Sequence, residues 1–332
     1  MTMKHPFVYL AALLGLFALP QVSHAQDMTN GKVQAMIVVG NVNLIAKDGT
    51  TTALKRGQSF EEGASVHADK GANALLVLSN GATLKVKENT TLEVTKFQQA
   101  KFDEAAEGTY LRLTKDPSKS ETTLKLSDGS LQGEVKKLDT ADGSKFTVNT
   151  PAGSAGIRGT IVDITIVRNA AGQITSIVAN CVVGSVNFTP SVSSTISTQG
   201  GTTTTVNNQN ALGIGTNGQI AINLTVDPLT GQITGGAITG ASVNVATSQG
   251  MANDLAAIVN EANTLQGNAQ QPPVSVPATT APVTLMDSGG NVITTATLGT
   301  ATNTTPTPNG GTTTTTNPTI TNPQNASVPT GP

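Results

Sequence analysis

The sequence has no tryptophan, one cysteine and little charge: acidic and basic residues together make up 12% of it, and aromatics 3%. Each shortage excludes something. Long amphipathic helices draw heavily on Glu, Lys and Arg, so a helical bundle is not expected. Cys181 stands alone, so no disulfide can form within the chain. A net charge of −2 argues against a nucleic-acid partner, which requires a basic surface. Lys and Arg are absent after Arg168, and the only acids beyond it are Asp227, Asp254, Glu261 and Asp287.

Chemistry-bearing groups are equally scarce. His5 and His24 lie in a leader-like segment, which leaves His67 as the one histidine of a processed chain. No nucleophile elbow lies near His67, so it is read as a strand-edge residue facing solvent. One His and one Cys are too few for zinc. The neighbouring carboxylates Glu61-Glu62 and Asp103-Glu104 would diverge on a strand or stay solvated in a loop. Gly200-Gly201 and Gly289-Gly290 read as turns, since the phosphate-cradling loop ending in Gly-Lys is missing. No catalytic residue, metal or cofactor is expected. Cys181, between Val178 and Val182-Val183, reads as a small buried hydrophobe.

What is present begins with an export signal. Met1 to Pro6 carries Lys4, Phe7 to Leu19 is uninterrupted apolar sequence, and Ser23-His24-Ala25 places small residues where a signal peptidase reads them. Residues 1–25 are therefore expected to be a cleaved signal peptide, leaving Gln26 first. The apolar run is shorter than the roughly 20 residues of a membrane span. No later run is longer, so no span is expected in the mature chain. The expected address is periplasmic, extracellular or cell-surface.

Turn signals dominate the first half. Ser79-Asn80-Gly81 lies between Leu75–Leu78 and Ala82–Val86, and Asn-Gly between β-prone runs marks a hairpin. Leu124 to Gly129, followed by Leu131 and Val135, reads as a second copy, and Lys47-Asp48-Gly49 after Val42–Ile45 as a third. Phe97 to Ser120, polar and charge-dense, reads as an insertion with little regular structure. Thr160 to Val167 has apolar residues on both faces, as a doubly buried strand does. Before it, Thr150-Pro151 and Gly156-Ile157-Arg158-Gly159-Thr160 form the motif of greatest interest. Thr150, Pro151, Gly156 and Gly159 are assigned structural roles there. Arg158 and Thr160 are the candidate binding residues. Arg158 is expected either to anchor its own loop, through carbonyls or Asp163, or to hold a carboxylate of a ligand; the first role is preferred.

The ordered set Gly40-Asn41-Val42, Leu54-Lys55-Arg56-Gly57-Gln58, Leu78-Ser79-Asn80-Gly81-Ala82, Thr150-Pro151, Ile157-Arg158-Gly159-Thr160 and Val183-Gly184-Ser185-Val186 resembles the FecR domain, the periplasmic half of iron-citrate sensor proteins. The resemblance implies an extracytoplasmic all-β domain over residues 31–190, compact and sandwich- or solenoid-like, that works by binding a partner. The regulators of that family carry a cytoplasmic domain and a span ahead of the periplasmic part. Here a signal-like segment stands in that place, so their sigma-factor role is not carried over. Residues 191–248, rich in Thr, Gly and Asn, read as a β extension, and 249–266 as an amphipathic helix with Met251, Leu255, Ile258, Val259, Ala262 and Leu265 on one face. Residues 267–332 read as a linker and a disordered Thr/Asn/Pro-rich tail. The function expected is an exported non-catalytic binding or scaffold module whose partner is an envelope protein or surface glycan. The alternatives are a sensor in an envelope signalling system and a glycan-acting hydrolase.

Overall fold

A computed structural model describes residues 27–104, 109–197, 203–279, 283–287 and 290–296. The signal segment at 1–25, Gly200-Gly201, Gly289 and the tail from residue 301 lie outside them. The described chain is mostly β. Its first fourteen strands are β1 (Met28–Asn30), β2 (Val33–Val39), β3 (Val42–Ile45), β4 (Thr51–Ala53), β5 (Ser59–Phe60), β6 (Ser65–Ala68), β7 (Asn73–Leu78), β8 (Thr83–Val86), β9 (Thr90–Ala100), β10 (Ser120–Asp128), β11 (Ser130–Val135), β12 (Lys145–Thr150), β13 (Gly153–Arg168) and β14 (Ile174–Pro190).

Strands β13 and β14 form the spine. They pair antiparallel from Gly153↔Pro190 to Arg168↔Ile174. The first part of β13 carries one arm of the sheet, β12-β10-β9-β6-β3-β4. Its second part carries another, β11-β8-β7-β2-β5. The arms curl toward each other over one apolar core, with Phe97, Leu124 and Val148 from the first and Leu76, Leu84 and Leu131 from the second.

Serving two arms requires a bend, and the bend is a bulge. Arg158 pairs with Ser185 and Ile161 with Val183, so Gly159 and Thr160 together oppose Gly184. The inserted residue reverses the facing of the strand. Ala155 and Ile157 point into the core before it, and Val162, Ile164 and Ile166 after it. A second bulge works the same way in β9, where Val94 pairs with Leu124 but Lys96 with Thr123. The inward set passes from Leu92 and Val94 to Phe97. Phe97 to Ala100 therefore belong to β9, not to an irregular insertion.

The hairpin readings divide. β7 and β8 pair across Ser79-Asn80-Gly81, with Gly81 N–H bonded to Leu78 O and only Gly81 at positive φ (84°). This is a three-residue loop closed by a left-handed glycine. β3 and β4 pair likewise, with Gly49 at φ 84°. Asp128-Gly129 is different. β10 and β11 do not pair with each other; β10 lies in the first arm and β11 in the second. Gly129 is a corner between arms.

Five further strands follow: β15 (Ser194–Ser197), β16 (Thr203–Val206), β17 (Ala211–Gly215), β18 (Gly218–Val226) and β19 (Ile233–Ser242). β17 and β18 pair with β14, so the Thr/Gly/Asn-rich stretch continues the same sheet. The hairpin of β20 (Val283–Met286) and β21 (Val292–Ala296) joins it through β17.

Helix α1 (Val245–Leu265) starts at Asn244, whose side chain accepts the Ala246 N–H. It lies on the outer face of the sheet. Leu255, Ile258, Val259 and Ala262 pack there with Met36, Leu75, Val77, Ile161 and Val182 in a second core. Leu265, read as part of the apolar face, is exposed, and Lys85 pairs with Asp254 at 2.7 Å. The alternating burial of Ile161 and Val162 between two cores explains why this run is apolar on both faces. No helix among the described residues is long and apolar enough to cross a membrane.

Candidate functional site

The Thr150–Thr160 motif is mostly scaffolding. Pro151-Ala152 turn β12 into β13, and the Thr150 hydroxyl donates to Gly153 O at 2.8 Å. Thr160, a candidate binding residue by sequence, is 1% exposed. Its hydroxyl lies 2.9 Å from Arg158 O and 2.8 Å from Ser185 O, and it accepts the Ser185 N–H at 3.2 Å. It ties the bulge shut and presents nothing to a ligand. Gly159 has the positive φ (57°) that such a bulge needs, whereas a side chain at Gly156 would meet only Asn187 O at 3.6 Å. The structural role assigned to Gly156 therefore has no backbone or steric basis. The more demanding glycine is Gly184 opposite, at φ 99°, where a Cβ would come within 2.7 Å of Gly159 O.

Arg158 departs from the preferred reading. Its guanidinium is exposed and has no hydrogen bond or ion pair. Asp163, its expected partner, is 4% exposed and bonded to Lys87 at 2.6 Å. Arg158 and Asp163 lie on the same outer face of β13, on either side of the bulge, but Lys87 already occupies Asp163. Arg158→Ala should accordingly leave the melting temperature within about a degree of wild type. Thr160→Val, which removes the one hydrogen bond the hydroxyl donates and leaves the Ser185 N–H without its side-chain acceptor, should cost about 1–2 kcal/mol. Thermal denaturation of the two variants side by side checks this, and a reversed order would return Arg158 to a structural role.

Arg158 borders a cavity of about 330 Å³ with Lys145, Ser154 and Asn187. Leu138 and Thr140 line it and also a second cavity of about 740 Å³. Together the two form a groove. Its far wall is built by residues 101–103 and 115–119, packed on the 136–144 loop. Asp116 N–H bonds Lys137 O at 3.1 Å, and Ser120 N–H bonds Ser144 Oγ at 3.1 Å. Lys101, Lys115, Lys119 and Lys137 line the second cavity.

None of the six cations in this groove has an ion pair or hydrogen bond through its side chain. Four acids line the second cavity beside the lysines, Asp103, Asp116, Asp139 and Asp142, and the Asp142 carboxylate, like the cations, has no partner. Asp139 accepts the N–H groups of Ala141 and Asp142, Asp116 takes the Ser120 hydroxyl at 2.5 Å, and Asp103 has a partner. At the rim, the Lys96 ammonium holds the Glu121 carboxyl below its ordinary range, and Lys145 and Lys119 add to the effect. Asp116 is shifted in the opposite direction. Burial pushes its pKa up to about 6 against the hydrogen bonds from Ser120, Ser118 and Ser144. Of the groove, only Arg158 was visible in sequence. The rest comes from two segments that carry no motif.

The remaining candidates are occupied elsewhere. His67 sits in β6, an inner strand between β3 and β9, with Nδ1 2.8 Å from Thr91 Oγ1 and Nε2 3.1 Å from Asp69 Oδ1. Thr91 lies on the regular strand β9 and not on a strand-to-helix elbow, and neither cavity of the groove includes this trio. Glu62 accepts the Phe97 N–H and Glu61 the Asn30 amide, so these carboxylates diverge. Glu104 bonds Lys32 and the Tyr110 hydroxyl. Cys181 is buried, and desolvation pushes its thiol up to about 12, which makes it unreactive.

Comparison with known proteins adds one positive finding. The family described as FecR protein matches residues 64–187, from β6 into β14. No curated protein matches the chain. Two solved structures from Parabacteroides distasonis ATCC 8503, each described as "a putative anti-sigma factor", align with it. One has 11% identity and a TM-score of 0.33, over 54% of this chain and 59% of its own. The other has 9% identity and a TM-score of 0.35, over 68% and 84%.

Proposed function

We propose, for a chain that carries a FecR domain over residues 64–187, that it acts outside the cytoplasm as a non-catalytic binding module, the sensing component of an envelope signalling system. The groove between residues 101–103 and 115–119 on one side and the Arg158 bend on the other is its binding site. The observation that carries this reading is the set of unpartnered cations in a concave surface of the FecR domain. Among the described residues, six of the nine lysines outside the groove are paired with acids, as Lys87 is with Asp163 and Lys96 with Glu121, while Lys47, Lys55 and Lys70 are scattered singly. A pure scaffold has no use for six gathered cations without ion pairs, whose mutual repulsion the neighbouring carboxylates offset only in part. The leader-like residues 1–25 and the family both support an extracytoplasmic address.

The test has two parts. N-terminal peptide analysis of protein from fractionated cells should find Gln26 first, in the extracytoplasmic fraction. Cross-linking in intact envelopes should capture a partner with wild type and lose it with Lys145→Glu/Arg158→Glu. A cytoplasmic chain retaining Met1 to Ala25, or a capture pattern the double variant does not change, would refute the proposal.

A further inference from the structure

We propose that the ligand of the groove is an anionic polysaccharide, a polymer carrying carboxylate, sulfate or phosphate groups along a hydroxyl-rich chain. This deepens the reading of the groove as a binding site and rests on it. Three observations lead there. First, the charge is distributed. Arg158 and Lys145 line one cavity with no acid among its lining, and Lys101, Lys115, Lys119 and Lys137 line the adjoining one together with Asp103, Asp116, Asp139 and Asp142, leaving the groove with six cations to four acids. A single small anion engages two or three cations, whereas a polyanion can engage all six. Second, the largest apolar residues of the Arg158 cavity are withheld, and the adjoining one adds only half-buried Phe102 and Pro117 and exposed Ala141. Leu138 is 8%, Phe146 2% and Ile157 1% exposed. Protein interfaces take their energy from a buried apolar or aromatic centre, and this groove offers little of one. Third, neutral hydrogen-bonding groups are interleaved with the cations. Thr140, Thr147, Ser154, Asn187 and Thr189 supply donors and acceptors suited to hydroxyl groups.

A polymer held this way is bound by many weak charge contacts, so its affinity is sensitive to salt. The mature chain, residues 26–332, is titrated with polygalacturonate and dextran sulfate, and with neutral dextran, poly-L-glutamate and a DNA duplex of matched length. Fluorescence anisotropy is read at 50 and 200 mM NaCl. At least one of the anionic glycans should bind, tenfold or more tightly at the lower salt, and neutral dextran should not. Lys137→Glu/Lys145→Glu/Arg158→Glu should weaken binding at least tenfold. Lys47→Glu/Lys55→Glu/Lys70→Glu, at exposed unpaired lysines outside the groove, carries the same net charge and should change it less than twofold. Should the first triple variant fold poorly, Lys145→Gln/Arg158→Gln should still weaken binding severalfold. Equal losses in the two triple variants would mean attraction by net charge, and would overturn the proposal. Tighter binding of poly-L-glutamate or DNA than of both anionic glycans would overturn it too, in favour of an acidic protein or a nucleic acid. Absence of glycan binding refutes the ligand class alone, because envelope capture of a different partner through Lys145 and Arg158 would still stand.

Discussion

Gly129→Val should remove most of the folded protein, while Gly49→Ala should lower stability by only about 1 kcal/mol. Both glycines have positive φ, 76° and 84°, and both follow an aspartate. The backbone cost of a side chain in that region is therefore similar at the two sites, of order 1–3 kcal/mol for a β-branched residue and less for Ala. What separates them is space. A Cβ at Gly49 would have nothing within 4 Å. A Cβ at Gly129 would fall 2.2 Å from Thr90 Oγ1, 2.4 Å from Asn89 O and 2.5 Å from Thr90 Cα. Two of those atoms are backbone and cannot swing away. Thr90 is itself fixed, because its hydroxyl accepts the Ser130 N–H at 2.9 Å and is 0% exposed as a residue. Gly129 O also receives the Ile166 N–H, which ties the corner to β13. Relief would require the arms to separate. A loss above about 4 kcal/mol is expected, against a total stability of about 5–15 kcal/mol. Urea denaturation followed by circular dichroism, with soluble yield as a second readout, measures it. Comparable losses in the two variants would mean that Gly129 is an ordinary turn residue and the corner is misplaced.

The same dipeptide thus does two jobs, and this marks where sequence reading stops. Asn80-Gly81, Asp48-Gly49 and Asp128-Gly129 all declare a reversal or kink with a left-handed residue. Whether the flanking strands then pair is decided by partners far away in sequence. β10 pairs with β12 and β9, and β11 with β13 and β8, so the local pattern around Asp128-Gly129 has no say in it. The all-β class and the doubly buried Thr160–Val167 run were legible because alternation and composition are local. The bulge at Gly159-Thr160 was legible only as a glycine-rich anomaly. Its meaning, a bend that lets one strand serve two arms, depends on Gly184 across the pair.

The groove was hidden for a different reason. Lys101, Lys115, Lys119, Lys137 and Lys145 are spread over 45 positions, in a segment whose polar composition suggests only solvation. Concavity has no sequence signature, and neither does the absence of a partner. A lysine such as Lys96 looks the same in sequence as Lys119, yet one is neutralised by Glu121 at 2.7 Å and the other is not. Arg158 was noticed because glycine flanks it, and the structural role preferred for it failed because Asp163 is claimed by Lys87.

Asp116, in the wall of that groove, should make stability fall as pH rises from about 4 to about 6. Its residue is 6% exposed, one carboxylate oxygen takes the Ser120 hydroxyl, and the other has no partner. Burial raises its pKa from 3.8 to about 6, with the nearby Asp139 adding to the rise. The sign follows from proton counting. Between those values the folded chain keeps a proton that the unfolded chain has released, so raising the pH favours unfolding. The contribution is fully present below about pH 4 and lost once pH passes about 6. Each tenfold change in acidity corresponds to about 1.4 kcal/mol, so the loss approaches about 3 kcal/mol, and less to the extent that water in the cavity reaches the carboxyl. Glu104 and Glu121, whose pKa values are lowered by Lys32 and Lys96, work in the opposite sense at the acid end. A difference measurement removes them. Asp116→Asn keeps an acceptor for Ser120 and cannot ionise. The variant should melt close to wild type at pH 4 and several degrees above it at pH 7, with the gap opening through the interval. A gap that stays constant across this range would show that Asp116 titrates as an ordinary surface carboxylate and that the groove wall is open to water.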